Sequence, residues 1–207
     1  YHGELAYHAE KGELKEKALL YLTLSGNHAM HAFQNRQAID YFSRALVVLP
    51  PYDPHTEFEL LIKRVECAYN LGDSTSQLND LDRLDELARS LSDSALLARV
   101  FIRRAFRSSI VGDYGETIQF ATQARDLAQS VNDTTTLLSV YIVLPDALAH
   151  VGKPEEAKQS ALDGIELARK IRNRSKEASG LSALGLVTLE MEGHLAAQKY
   201  QEIGRAH

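Results

Sequence analysis

The sequence has few of the residues that mark several common classes of protein. Cys67 is its only cysteine, which excludes a disulfide framework and a thiolate metal site and favours a reducing, intracellular compartment. No apolar run approaches the roughly 18–20 residues of a membrane span, and no signal peptide opens the chain. We therefore expect a cytoplasmic protein that makes no contact with a membrane.

An excess of charge of one sign is also lacking. The 207 residues include 23 basic and 28 acidic side chains, which are interspersed and give a net charge of −5. Nucleic-acid recognition needs a clustered basic face, so nucleic acid is not an expected partner. The sequence has no glycine-rich phosphate loop and no serine in a nucleophile-elbow context. We predict that the protein is not an enzyme and that it uses no cofactor.

Metal-ligand spacing is scarce as well. His28 and His31 lie three residues apart and would share one face of a helix as metal ligands. Because no third ligand is suggested nearby, two surface or groove histidines are the favoured interpretation. No metal site is predicted.

The sequence does contain a pattern that recurs every 40 residues. One column holds good helix N-cap residues, whose side-chain oxygen accepts a hydrogen bond from the first turn: Asp53, Asp93, Asp133 and Asn173. A second column holds glycines where a helix end favours the left-handed conformation: Gly72, Gly112 and Gly152, with Glu192 as the fourth member and its glycine displaced to Gly193. Such a recurrence indicates a helical-repeat array.

The apolar periodicity places the helices. It predicts them at 2–11, 14–25, 36–49, 54–71, 74–91, 94–111, 114–131, 134–151, 154–172, 174–191 and 194–206. Linkers of two or three residues force neighbouring helices to be antiparallel. Gly26 is expected to interrupt the second helix, with 28–33 either a separate short helix or a kinked continuation. Pro145 should kink helix 134–151, unless that helix is really two pieces.

The stretch from Gly26 to Pro50 resembles a tetratricopeptide repeat. The glycine, first alanine, aromatic, second alanine and proline of that family are matched by Gly26, Ala38, Phe42, Ala45 and Pro50. The longer 40-residue period resembles the tetratricopeptide arms of bacterial multidomain signalling proteins, which include maltose-activator-type regulators and adenylate or guanylate cyclases with a signal-transduction ATPase module. The resemblance implies an all-α fold, a right-handed α-solenoid of antiparallel helix pairs.

We accordingly predict one superhelical domain over residues 1–207, as part of a larger protein. It would begin with a degenerate repeat at 1–33 and continue with helix units at 34–51, 54–91, 94–131, 134–172 and 174–207. The last helix has an apolar face that is a candidate for pairing with a second copy of the chain: Leu195, Ala197, Tyr200 and Ile203.

In such an array the first helices of the pairs line a concave groove. The resemblance places eight residues on it: Lys63, Tyr69, Asn70, Arg99, Arg103, Phe106, Asp146 and His150, with Glu59, Asn27 and His31 beside them. Lys63, Arg99 and Arg103 would hold a carboxylate-bearing peptide or an anionic small molecule. In the other interpretation, Arg99, Arg103, Arg104 and Arg107 are solvated charges that pair with the neighbouring helix.

Two functions follow from the resemblance. The first is a non-catalytic scaffold that binds a protein segment or a small effector, as the regulatory arm of a multidomain signalling protein. The second is a peptide-docking module of the co-chaperone kind, which grips an acidic C-terminal peptide. Asn27, Arg99 and Arg103 match the clamp of that family, whereas Lys63 and Thr23 depart from it.

Overall fold

The described chain is all-helical. The structure, a computed structural model, describes residues 2–73, 75 and 77–205, and of Glu190 and residues 194–205 it describes the backbone alone. These residues form ten helices. Their bounds are α1 His2–Lys11, α2 Lys15–His31, α3 Asn35–Val48, α4 Pro54–Asn70, α5 Gln77–Ser90, α6 Ser94–Ile110, α7 Tyr114–Ser130, α8 Thr134–His150, α9 Pro154–Lys170 and α10 Arg174–Arg205. The predicted all-α array of helix pairs is confirmed.

The helices fall into two compact units, which are described separately. Unit 1 is Tyr1–Arg103 and unit 2 is Arg104–His207, so the boundary lies within α6. The expectation of one domain over 1–207 stays a prediction. No helix among the described residues combines the length and apolar character needed to cross a bilayer.

The described turns between helices, except the one after α3, share one geometry, which the repeat pattern predicted in part. After α4, the amide of Gly72 donates to the Tyr69 carbonyl and the amide of Asp73 to the Ala68 carbonyl, which together make a Schellman motif. The residue at the left-handed position has a φ of +70° at Gly72, +78° at Gly112 and +76° at Gly152. The same two hydrogen bonds close the turns after α5, α7 and α9, where Ser92, Asn132 and Arg172 take a positive φ without being glycine.

The predicted N-caps are confirmed. The carboxylate of Asp53 accepts from the amide of Thr56 at 3.0 Å, and that of Asp93 accepts from the amides of Ala95 and Leu96. Asp133 and Asn173 cap α8 and α10 in the same way. Each cap immediately follows a helix end or a left-handed residue, so one short segment both ends a helix and begins the next.

Gly26 does not interrupt the second helix, so this prediction was wrong. α2 runs unbroken to His31, and residues 28–31 are its last turn rather than a separate helix. A β-carbon on residue 26 would lie 2.5 Å from a ring carbon of Phe42 on α3. The glycine is therefore needed for close packing between two helices and not for a turn.

The break predicted between 174–191 and 194–206 is also absent. α10 continues from Arg174 to Arg205, and Gly193 is not among the glycines with positive φ. The column position that carries glycine in the earlier repeats is Glu192 here, and no Asp or Asn follows it to cap a new helix. The side chains of Leu195, Ala197, Tyr200 and Ile203 lie outside the described residues, so the predicted apolar face is not described.

Pro145 does not divide its helix. It is buried within α8, which runs as one helix from Thr134 to His150. The alternative of two separate pieces is therefore wrong, while the kink at Pro145 stays a prediction.

Small residues and a few large ones form the cores of both units. In unit 1 the repeat-signature residues Ala38, Phe42 and Ala45 are fully buried. In unit 2 the helices α7 and α9 bury alanines on one face, listed here: Ala121, Ala124, Ala128, Ala157, Ala161 and Ala168. A β-carbon at Gly164 would lie 2.6 Å from the β-carbon of Tyr141, so α8 and α9 are packed as closely as their backbones allow.

Candidate functional site

The predicted groove residues are distributed over both units. Lys63, Tyr69 and Asn70 lie on α4, and Arg99 and Arg103 lie on α6, all within unit 1. Phe106, Asp146 and His150 belong to unit 2. The two groups are therefore described as two surfaces.

The two predicted groove arginines of α6, Arg99 and Arg103, are paired with carboxylates of α4, which is the first helix of the preceding pair. Both terminal nitrogens of Arg99 contact the carboxylate of Glu59, at 2.5 and 3.1 Å, and its guanidinium lies 5.1 Å from the centre of the Phe58 ring. Arg103 pairs with Glu66. These contacts match the interpretation in which the arginines pair with the neighbouring helix.

The same contacts affect the pKa values of Glu59 and Arg103. The hydrogen bond from Arg99 is the largest cause that lowers the pKa of Glu59, and desolvation opposes it. Burial lowers the pKa of Arg103, while the nearby Glu66 carboxylate raises it. The half-exposed Glu59–Arg99 pair is worth at most about 1 kcal/mol because water screens it.

The other predicted groove residues of unit 1 also have partners within the chain. The ammonium of Lys63 donates to the side-chain oxygen of Asn27 at 2.9 Å, and Asn70 donates to Asn35 at 3.4 Å. Tyr69 has further interactions of its own. An anionic ligand at this surface would have to displace carboxylate or amide oxygens that the protein already supplies, so the predicted anion-binding role stays a prediction.

The pairing of Arg99 with Glu59 could have been predicted from the sequence. The two residues lie exactly one 40-residue repeat apart, so they occupy equivalent positions on α4 and α6. Side chains one repeat apart on consecutive first helices are neighbours in a helical-repeat array. Charge complementarity within such a column is the signal that favours pairing with the neighbouring helix over a cation that is free to bind a ligand.

In unit 2 a notch of about 360 Å³ lies between α8 and α10. Ile142, Asp146 and Ala149 line it from α8. From α10 it is lined by Ser179, Ser182, Ala183, Leu186 and Val187. Of the eight predicted groove residues, Asp146 is the one that lies in this notch.

The notch combines an apolar floor with a polar rim. Val187 is buried, whereas the Leu186 side chain is 63% exposed and the Asp146 carboxylate is also exposed. The hydroxyls of Ser179 and Ser182 donate back to carbonyls one turn earlier on α10, so they turn toward their own backbone. An apolar side chain of a partner fits such a floor, with a carboxylate at its edge.

The sequence held one signal for this notch. Ile62, Ile102 and Ile142 share a column of the repeat in which Ser182 is the exception. Replacing a large apolar side chain by a small one removes volume where α10 faces α8, and the notch lies at that position.

His150 lies next to Asp146 on the same face of α8. Its ring stacks on that of Tyr114 with centroids 4.1 Å apart, and its Nδ1 lies 2.9 Å from the backbone carbonyl oxygen of Asp146. The Asp146 carboxylate is 3.6 Å from the same nitrogen. Together these contacts hold the imidazole of His150 beside the notch.

Metal and thiol chemistry have little support in the described part of the chain. No group of three or more His, Cys, Asp or Glu residues there has an arrangement that could hold a metal ion. Cys67 is buried, and desolvation is the main cause that raises the pKa of its thiol to about 11. The nucleophilic thiolate is therefore rare at neutral pH.

Comparisons with known proteins identify the fold. No protein-family model matches the chain, and no curated protein sequence matches it. Among solved structures it is similar to aspartyl phosphate phosphatase F from Bacillus subtilis, with a TM-score of 0.73 and 12% identity over 94% of this chain and 54% of that one. It is also similar to a Rap protein complexed with Competence and Sporulation Factor, with a TM-score of 0.61 and 20% identity over 97% of this chain and 64% of that one.

The chain thus spans just over half the length of the first of these proteins and less than two thirds of the second. At this level of identity the likeness concerns the fold. It confirms that the chain has an all-α helical-repeat fold, while the tetratricopeptide resemblance of α2 and α3 stays a prediction.

Proposed function

We propose that the protein is a non-catalytic binding module that takes a peptide or protein segment in the notch between α8 and α10. The observation that carries this proposal is the notch itself, which has an apolar floor and the exposed Asp146 carboxylate at its rim. Both helices are first helices of their pairs, which in this fold line the ligand-holding face. One similar structure is a Rap protein complexed with a factor, which supports a binding role.

The chemistry of the notch suggests what the segment contains. A volume of about 360 Å³ lies in the range of small ligand pockets and accommodates a large apolar side chain. A basic residue next to that side chain would pair with the exposed carboxylate of Asp146, which lies 3.6 Å from Nδ1 of His150. We therefore infer a segment with an apolar anchor adjacent to Lys or Arg.

The wider role that we propose is the regulatory arm of a multidomain signalling protein in the cytoplasm. The support is the 40-residue repeat and its resemblance to the arms of ATPase-containing cyclases and maltose-activator-type regulators. In that role the arm holds a protein segment or a small effector, and no nucleic acid or membrane, and passes its occupancy to an attached module. Its exposed leucines on α10, among them Leu181 and Leu189, support a homodimer through the C-terminal helices.

The co-chaperone alternative receives less support from the contacts. Its carboxylate clamp would use Arg99 and Arg103, which already pair with Glu59 and Glu66. Lys63 is likewise hydrogen-bonded to Asn27. An acidic peptide would gain little from cations that the protein has neutralised itself.

Panning a random heptapeptide library against the protein tests the proposal. We expect enriched peptides with an apolar residue next to Lys or Arg. Ala183→Trp, which fills the notch, should weaken them by at least about tenfold, because one buried anchor side chain contributes that much. Ala178→Trp is the matched control, since Ala178 is exposed on the same helix and does not line the notch.

Two results would contradict the proposal. Peptides that bind Ala183→Trp as tightly as the unaltered protein would place the site elsewhere. Peptides that end in acidic residues and lose affinity in Arg99→Ala and Arg103→Ala would instead favour the co-chaperone alternative.

A further inference from the structure

A large pocket in unit 1 is formed by residues of α1, α2 and α3. It has a volume of about 850 Å³ and is bounded by the first two turns of α1, the C-terminal half of α2 and the start of α3. The repeat pattern assigns the pocket residues of α1 and α2 to the degenerate first repeat at 1–33, and Gln34, Gln37 and Tyr41 to the next unit at 34–51. It predicted no site that unites them. The pocket lies within unit 1 and shares no lining residue with the notch of unit 2.

Hydrogen-bonding side chains dominate the walls of this pocket. They are the imidazoles of His2, His8 and His28, the phenols of Tyr7 and Tyr41, and the amides of Gln34 and Gln37. The one carboxylate is that of Glu4, and no lysine or arginine lines the pocket. The wall therefore combines a single acidic side chain with many hydrogen-bond acceptors.

One hydroxyl in this wall is buried without a partner. Ser25 is 5% exposed, and its Oγ makes no hydrogen bond. Helical serines elsewhere in the chain, such as Ser139 and Ser179, donate to the carbonyl one turn earlier, but Ser25 does not. A buried polar atom left unsatisfied is costly, and a ligand that reaches it would remove that cost.

The fold also makes room for a phenol in the pocket. A β-carbon at position 3 would lie 2.7 Å from the hydroxyl oxygen at the far end of the Tyr41 side chain, so this phenol lies against the backbone of α1 at Gly3. Gln37 donates a hydrogen bond of 3.4 Å to the same oxygen. The Tyr41 hydroxyl is thereby held at the wall as a donor and acceptor.

The two tyrosine rings already attract cations of the chain. The ammonium of Lys11 lies 5.8 Å from the centre of the Tyr7 ring, and the guanidinium of Arg44 lies 5.5 Å from that of Tyr41. Arg44 is in turn neutralised by Glu10 and Asp40. Aromatic faces, hydroxyls and a carboxylate are together the groups that bind an ammonium ion, which has three donors and no acceptor.

From these observations we propose that this pocket binds a ligand with a primary ammonium group. Glu4 pairs with the ammonium, Ser25 accepts one of its hydrogen bonds, and the rings of Tyr7 and Tyr41 flank its carbon chain. Two sources supply this chemistry, the free N-terminus of a peptide and a small aliphatic diamine. The site is separate from the peptide notch of the proposed function, so either one can be wrong without the other.

Calorimetric titration at pH 8 and low salt tests the proposal with three probes: tetra-alanine with a free N-terminus, the same peptide N-acetylated, and 1,4-diaminobutane. We expect at least one of the two amine probes to bind and the acetylated peptide to be at least about tenfold weaker than the free one, since it lacks the charge. Binding of tetra-alanine alone assigns the site to peptide N-termini, and binding of the diamine alone assigns it to small amines. No binding by either amine probe overturns the proposal.

Substitutions then locate the binding. Glu4→Gln should lower the affinity by about tenfold, whereas Glu16→Gln, which removes an exposed charge at the other end of α2, should leave it unchanged. Ser25→Ala should weaken binding by about fivefold without lowering the melting temperature, because the lost hydroxyl had no partner in the protein.

Ser160→Ala is the matched control for Ser25→Ala. Its hydroxyl is also buried without a partner, but it lies on α9 in unit 2. Affinity that is unchanged in both Glu4→Gln and Ser25→Ala would place the amine elsewhere and refute the assignment.

Discussion

At the scale of single residues, the helix contacts depend on a few positions where no side chain fits. Gly26, Gly164 and Gly180 each lie so close to a neighbouring helix that a β-carbon would come within 3 Å of another side chain. At Gly185, in contrast, a β-carbon would meet nothing within 4 Å. Glycines inside helices therefore have opposite roles in this chain, and substitution distinguishes them.

Gly26→Ala should destabilise the protein by about 1–3 kcal/mol, because the new methyl group would overlap the fully buried Phe42 ring. Gly185→Ala should instead stabilise it by about 0.5–1 kcal/mol, since alanine is the better helix former and has room. Urea unfolding followed by circular dichroism measures both changes. Equal effects of the two substitutions would show that helix propensity, not packing, dominates at Gly26.

Cys67 should be unreactive in the native protein. Burial raises the pKa of its thiol from 9.0 to about 11, so the stability that the neutral thiol contributes is complete below pH 9 and is lost as the pH rises towards about 11. At pH 8 an aromatic disulfide reagent should react at least about 100-fold more slowly with the native protein than with the protein in guanidinium chloride. Stoichiometric labelling of the native protein within minutes would contradict the buried position.

At the scale of elements, the sequence was most informative about where helices end and begin. The caps at Asp93 and Asp133 and the left-handed glycines at Gly112 and Gly152 depend on local chemistry, which a sequence displays directly. Gly26 was misjudged because its role depends on Phe42, a residue on another helix. A glycine alone does not reveal whether a turn or a neighbouring ring requires it.

The Schellman turns give an element-scale prediction. Arg172 has a φ of +56° at the end of α9, a conformation that glycine adopts at lower cost. Arg172→Gly should therefore raise the free energy of unfolding by about 1 kcal/mol. Gly152→Ala should lower it by a similar amount, and there the cause is the backbone alone, since nothing lies within 4 Å of the new methyl group.

Thermal unfolding of both variants measures these effects. Arg172→Lys serves as the control, because it keeps a long basic side chain and a β-carbon at the left-handed position. A gain in stability for Arg172→Lys as large as for Arg172→Gly would assign the effect to the side chain instead of to the backbone.

At the scale of the whole molecule, each unit carries its own candidate site, the amine pocket in unit 1 and the peptide notch in unit 2. Asp146 is the one predicted groove residue that lines the second, and none of the eight lines the first. His2, Gly3 and Tyr41 acquire their common role only when α1 and α3 approach each other, and no repeat column relates them. A site built from residues of unequal type, most of them in a degenerate repeat, leaves no periodic signal.

The prediction of a single domain over residues 1–207 can be tested through the one cysteine. Cys67 is buried in unit 1, so its labelling rate under mild denaturant reports the opening of that unit. Gly164→Ala would force a β-carbon to within 2.6 Å of Tyr141 in unit 2 and should cost about 1–3 kcal/mol there. In a helical-repeat array, neighbouring repeats stabilise one another through their interfaces.

If the chain is one domain, Gly164→Ala should therefore shift the labelling midpoint of Cys67 to lower urea, together with the helical signal. Gly185→Ala, a substitution in unit 2 that meets no neighbour, should not lower that midpoint. A labelling midpoint that stays fixed in Gly164→Ala while half of the helical signal moves to lower urea would show that the two units unfold independently.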